Sequence, residues 1–88
     1  MNYSNFLTVR DLTVLIKYNL ESDIRFKNIL VKGEISNLKI HPTGHWYFTL
    51  KDIDATIRCV MFKANASRVK FDVYDGLQVV IRGRVSVY

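Results

Sequence analysis

The hexapeptide Val31-Lys32-Gly33-Glu34-Ile35-Ser36 returns fifty positions later as Ile81-Arg82-Gly83-Arg84-Val85-Ser86, and each copy sits in a longer stretch that alternates apolar and polar residues. Ile29, Val31, Gly33 and Ile35 share one side of the first stretch. Leu77, Val79, Ile81, Gly83, Val85 and Val87 share one side of the second. A period of two is the mark of a β-strand, because successive side chains point to opposite faces. The pattern therefore predicts two long strands, each with one buried face. A glycine inside a strand weakens it unless the backbone bends there or approaches another chain segment closely. Glycine kinks of this kind let a twisted sheet curl towards a barrel. Six shared residues do not establish a duplicated domain, so one architectural feature used twice competes with coincidence.

The remaining segments supply the neighbours of these strands. Thr8 and Asp11 form a short capping box that opens a helix, with Leu7 placed to staple onto Leu12. Val9, Leu12, Leu15, Ile16 and Leu20 then fall on one stripe at helical spacing, which should pack on something, and the helix should end near Glu21 to Asp23. The first strand covers about residues 28–40 and stops at His41-Pro42-Thr43-Gly44, a turn signal. In the return strand Trp46, Phe48 and Leu50 take one face and His45, Tyr47, Thr49 and Lys51 the other. Residues 52–55 make a tight turn into a third strand, with Ile57 and Cys59 in the core and Val60 and Phe62 outward. Residues 63–71 read as a short helix, and 72–76 lead into the strand that carries the second hexapeptide.

Helix, three meandering strands, short helix and a further long strand is the order of a mainly β (α+β) OB-fold, a Greek-key barrel, here preceded by an N-terminal helix. Residues 1–26 are read as the helix and lead-in, and 27–88 as the OB-fold. The barrel of this fold closes with a fifth strand, for which no residues remain after Val87-Tyr88. The expectation is a fragment truncated before its last strand, with open sheet edges able to pair with another copy. Because the first and fourth strands neighbour one another in such a barrel, Glu34 is expected to meet Arg82 or Arg84 in a surface ion pair.

Catalysis is hard to assemble from these residues. His41 and His45 flank a Pro-Gly turn rather than sharing a helix face, so their spacing does not signal a metal site. Asp52 and Asp54 flank a hairpin turn, where aspartates commonly bond to the backbone. Cys59 is the only cysteine and lies in a strand, which suits a buried thiol and excludes an internal disulfide. Two glycosylation sequons, Asn2-Tyr3-Ser4 and Asn65-Ala66-Ser67, carry no weight without a secretory route. No catalytic residue, metal or cofactor is expected here. The chain has no charge-poor run approaching the ~20 residues of a membrane span and no secretory layout at its start, so the expected compartment is the cytoplasm, with no membrane partner.

Binding is the better-supported class. The net charge is +5, and between Thr56 and Phe71 the charged residues are Arg58, Lys63, Arg68 and Lys70 with no acid among them, an imbalance that favours polyanions. OB-folds take single strands across the outer faces of their second and third strands, with cations for phosphates and aromatics as stacking surfaces. The outward candidates are His45, Tyr47 and Lys51 on the second strand and Arg58 on the third, with Lys32, Lys39 and His41 nearby. Tyr47, between His45 and Lys51, is the most suggestive of these, with packing beneath a loop or the N-terminal helix as its alternative, and Lys51 and Arg58 equally suit solvated surface charge.

The segments GEISN (33–37), GHWYFTLKD (44–52), RCVMF (58–62) and RGRVSVY (82–88), with LTVRDL (7–12) ahead of them, resemble the N-terminal domain of the exodeoxyribonuclease VII large-subunit family over nearly the whole chain. The resemblance implies a nucleic-acid-binding OB-fold ahead of a catalytic region that lies outside this sequence. It implies that the full protein degrades single-stranded DNA from either end, towards nucleoside 5′-phosphates, and assembles with copies of a small subunit. No catalytic residue can be carried over, and metal dependence stays open. Two alternatives remain: a structural domain packing against the rest of its subunit or another copy, and an RNA-binding domain of the anticodon-binding type, against which GEISN and RCVMF argue.

Overall fold

The backbone N–H groups left unpaired at a helix start need acceptors, and Thr8 and Asp11 supply them reciprocally: Asp11 N donates to Thr8 Oγ1 at 3.0 Å and Thr8 N to Asp11 Oδ2 at 3.2 Å. The computed structural model describes residues 5–87, so Asn2-Tyr3-Ser4 lies outside the described residues. The elements are α1 (Val9–Ser22), a 3-10 turn (Ile24–Phe26), β1 (Ile29–Ile40), β2 (Trp46–Lys51), β3 (Thr56–Met61), α2 (Lys63–Ala66) and β4 (Gln78–Gly83). Helix, meander, short helix and fourth strand follow in the expected order. Among the described residues the strands form an open sheet in the order β3-β2-β1-β4. None of the described helices is long and apolar enough to cross a membrane.

Two compact units divide the chain, one formed by the described residues up to Val31 and from Ile81 onward, the other by Lys32–Val80. In the first unit α1 ends at Asp23, whose N–H donates to Leu20 O at 3.3 Å. Asp23 then caps the 3-10 turn, accepting from Arg25 N at 2.9 Å and from the Arg25 guanidinium at 2.6 Å. Those bonds favour the charged carboxylate and hold its pKa down at about 2. The residues after β4 return to this unit: Val85 N donates to Phe26 O at 2.9 Å, Ser86 Oγ to Glu21 Oε2 at 2.5 Å, and Arg84 pairs with Glu21 at 3.6 Å. The predicted packing of the α1 stripe is not found among the described residues. Val9 is 84% exposed, and Leu12, Leu15 and Ile16 are exposed as well.

The second unit holds the core. Its buried apolar side chains are Ile35, Phe48, Leu50 and Ala66. Ile35 stands opposite Leu50, and Phe48 opposite Cys59. Burial of side chains this size stabilises by about 1.5–3 kcal/mol each. Gly33 answers the requirement for close approach: a Cβ built there would lie 2.8 Å from Leu50 Cγ and 3.0 Å from Lys51 O. A second local feature interrupts β1. Ser36 pairs with Thr49 but Lys39 with Tyr47, so one extra residue sits on β1 between them. Asn37 occupies the left-handed region there, with φ 52°. Asparagine tolerates that conformation better than most residues, and the result is a β-bulge.

Four expectations are corrected. Gly83 is the last residue of β4, and a Cβ built on it would meet nothing within 4 Å. It therefore marks a strand end, beyond which Arg84 to Ser86 turn to Glu21 and Phe26. Glu34 meets Lys51 at 3.5 Å and Gln78 at 3.3 Å, while Arg84 meets Glu21, because register places Lys51 directly opposite Glu34. Ile57 shares the inner face with its register partner Leu50 yet is 52% exposed, because β3 is an edge strand of the described sheet. The helix expected over 63–71 closes after Ala66, where Ser67 and Arg68 form a turn.

Candidate functional site

Register fixes which side chains share the outer face. Pairs on one face of a sheet stand directly opposite each other, so the face runs Glu34–Lys51–Thr56, Ser36–Thr49–Arg58 and Lys39–Tyr47–Val60 across β1, β2 and β3. Lys32 continues it by alternation along β1. Lys32, Lys39, Lys51 and Arg58 are all exposed, and Tyr47 is half-buried. Sheet pairing thus gathers Lys32, Lys39, Tyr47, Lys51 and Arg58 onto one surface, with Tyr47 flanked by Lys39 on β1 and Val60 on β3.

The two histidines occupy the hairpin between β1 and β2. His41 N donates to His45 O at 2.9 Å and Gly44 N to His41 O at 2.8 Å, closing the loop. Gly44 takes φ +95°, a conformation open to glycine. The His41 ring accepts from Thr43 N at 3.1 Å and meets Tyr47 edge-on, with ring centroids 6.3 Å apart. It therefore braces the tyrosine ring at the margin of the face. His45 is committed differently: its Nδ1 accepts the Lys63 N–H at 2.8 Å, and its ring meets Phe62 edge-on at 5.4 Å. An accepting Nδ1 in a neutral ring puts the proton on Nε2.

The charge on this face is partly compensated. Lys51 Nζ lies 3.5 Å from Glu34 Oε2, with both side chains substantially exposed, a geometry worth little in water. A phosphate at Lys51 would compete with that carboxylate. Sequence reasoning assigned Glu34 elsewhere and so missed this counter-charge. It also missed Phe62 as the ring beside His45, and the bulge that turns Lys39 outward. The bulge left a signal: apart from exposed Leu30, the apolar positions of β1 are odd-numbered as far as Ile35 and even-numbered at Leu38 and Ile40, with a turn-forming asparagine between.

Asp52 and Cys59 are accounted for by local structure. Asp52 Oδ1 accepts from Asp54 N at 2.8 Å and Ala55 N at 2.9 Å, so it shapes the β2–β3 turn, and those bonds lower its pKa. Burial pushes the Cys59 thiol up, away from thiolate reactivity. Among the described residues no group of three or more His, Cys, Asp or Glu could hold a metal ion.

Comparison with known proteins places this surface in context. A family model described as an OB-fold nucleic acid binding domain matches residues 7–88. The exodeoxyribonuclease 7 large subunit of Clostridium beijerinckii is 52% identical over 82 residues, covering 93% of this chain and 21% of that protein. Its counterpart in Lysinibacillus sphaericus is 49% identical over 88 residues, covering 100% of this chain and 20% of that protein. The counterpart in Staphylococcus saprophyticus is 45% identical over 85 residues, covering 97% and 19%. The chain thus spans about a fifth of the length of the curated relatives it matches.

Proposed function

Since this chain belongs to the family of OB-fold nucleic acid binding domains, we propose that it is the single-stranded-DNA-binding module of an exodeoxyribonuclease 7 large subunit. The observation that carries this reading is the outer face itself, where a half-buried tyrosine is set in register between Lys39 and Val60, with Lys32, Lys51 and Arg58 on the same surface. A base stacked on Tyr47 is worth about 1–3 kcal/mol and is tolerant of sequence, since every base has a π-face. Lys32, Lys39, Lys51 and Arg58 neutralise phosphates along the strand, each contact adding about −0.7 to the log–log salt slope. His41 holds the tyrosine ring, and His45 Nε2–H is a donor at the hairpin end. Residues 27–88 carry the interface and 1–26 lead into it. In the whole protein this module presents single-stranded DNA for exonucleolytic cleavage from either end towards nucleoside 5′-phosphates, in an assembly with the small subunit.

Fluorescence anisotropy of a labelled single-stranded DNA titrated with the 88-residue chain at several salt concentrations, beside duplex DNA and RNA of the same length, tests the reading. The expected result is salt-sensitive binding that prefers single-stranded DNA and weakens about 5- to 150-fold in Tyr47→Ala, the equivalent of about 1–3 kcal/mol of stacking. Equal affinity for duplex, or an unchanged Tyr47→Ala, overturns it. A preference for RNA points to the anticodon-binding type instead.

A second reading, a module that packs against protein, is favoured by α1. Leu7, Val14, Leu15 and Tyr18 line a shallow groove on this helix, and Val9, Leu12 and Ile16 are exposed as well. A folded chain that binds no strand and self-associates, through this helix or the β3 and β4 edges, supports that reading.

A further inference from the structure

We infer that Asp75 is a positioning residue for the binding face, acting through the β1 bulge to hold Lys39 beside Tyr47. The inference rests on the binding reading above and deepens it. Ile35 and Lys39 are four residues apart, so regular alternation would turn both to the same face. They do not share one: Ile35 stands opposite inward Leu50, and Lys39 opposite outward Tyr47. The extra residue on β1 makes the difference, and without it Lys39 would point to the core side and Leu38 to the strand-binding side.

A bulge disrupts the ladder locally and leaves a backbone group in need of a partner. Here the Leu38 N–H donates to Asp75 Oδ1 at 2.9 Å, across 37 positions of sequence. The residues after Asp75 grip the other side of the bulge: Gly76 N donates to Ile35 O at 2.8 Å, and Ile35 N donates to Leu77 O at 2.9 Å. Gly76 permits this turn with φ +100°. The turn ahead of β4 therefore clamps β1 on both sides of its irregular residues, and the carboxylate of Asp75 is the part of that clamp contributed by a side chain. It touches no ligand itself. Its effect is on which face Lys39 occupies.

The test is the salt dependence of binding to a labelled oligothymidylate, measured for the full 88-residue chain and its variants. Lys39→Ala and Asp75→Ala are each expected to reduce the log–log slope by about 0.7, the share of one phosphate on a single strand. The double variant is expected to lose no more than either alone, because both remove the same contact. Asp75→Asn keeps an acceptor oxygen and should keep the slope. Adding Asn37→Gly to Asp75→Ala should restore both slope and affinity, because glycine adopts the left-handed conformation of the bulge without help. This last variant also covers the case in which Asp75→Ala alone fails to fold. A slope unchanged in Asp75→Ala, additive losses in the double variant, or no rescue by Asn37→Gly overturns the inference while the binding reading stands. An unaltered chain that binds no oligothymidylate at low salt overturns both.

Discussion

Gly33 and Gly83 hold the same place in the two hexapeptides, yet a methyl added at the first would meet Leu50 Cγ at 2.8 Å, and at the second it would meet nothing within 4 Å. The contrast runs through the flanking residues. Ile35 is 2% exposed in the core, whereas its counterpart Val85 lies past the end of β4 with its N–H on Phe26 O. Glu34 is opposite Lys51 in the sheet, whereas Arg84 meets Glu21 at the end of α1. Ser36 pairs in register with Thr49, whereas Ser86 donates to Glu21. The same six-residue pattern is a strand interior where a neighbour presses on it and a strand exit where none does. Local sequence proposes a conformation, and the packing partner decides whether it is used.

Stability measured by urea denaturation is the most direct way to break this comparison. Ile35→Ala should cost about 2–5 kcal/mol, the range for emptying a buried aliphatic site, and Val85→Ala distinctly less; equal costs would mean that the two copies carry the fold alike. Gly33→Ala should cost about 1–3 kcal/mol by overpacking against Leu50 and the Lys51 carbonyl. Gly83→Ala should stay within about 0.5 kcal/mol of the unaltered chain.

Charge sharpens the contrast further. Glu34→Gln releases Lys51 and should steepen the salt slope for single-stranded DNA by up to about 0.7, with a stability change below about 1 kcal/mol because the pair is exposed. Arg84→Ala should leave that slope nearly unchanged, and anisotropy titrations of the two variants side by side check both.

The smallest effect is one of pH. Asp23, in the unit of the second hexapeptide, and Asp52, in that of the first, both have folded pKa values below the usual 3.8, Asp23 at about 2. Stability from each is fully present above pH 3.8 and is lost as pH falls through its folded value, which for Asp23 is about 2. Urea midpoints followed from pH 5 to pH 2 should fall, and Asp23→Asn or Asp52→Asn should flatten the curve.

Much of this architecture was legible because its causes are local. The Thr8/Asp11 capping box, the alternation of β2 and the Asp52 turn each involve residues within a few positions of one another, and each formed where the sequence indicated. The outer face was legible as far as alternation reaches: the sidedness of Tyr47 and Lys51 follows from β2 alone. What escaped depends on distant partners. Ile57 has a core-like pattern, and only the sheet order reveals that it lies on an edge strand. The bulge before Lys39 has its Leu38 N–H on the distant Asp75 carboxylate, and Lys51 has a register partner in Glu34, and neither contact is written in the residues beside them.

The bulge at Asn37 also sets how this stretch tolerates change. In an ordinary surface loop, length varies easily and particular residues matter little. Between Ser36 and Lys39 the order is reversed. A substitution there leaves the sidedness of the strand alone, but adding or removing a single residue exchanges the two faces for everything beyond it, moving Ile40 from the face of Trp46 to the outer face and Lys39 to the inner one. Among homologous chains, the count of residues in this segment should therefore be held more strictly than their identity.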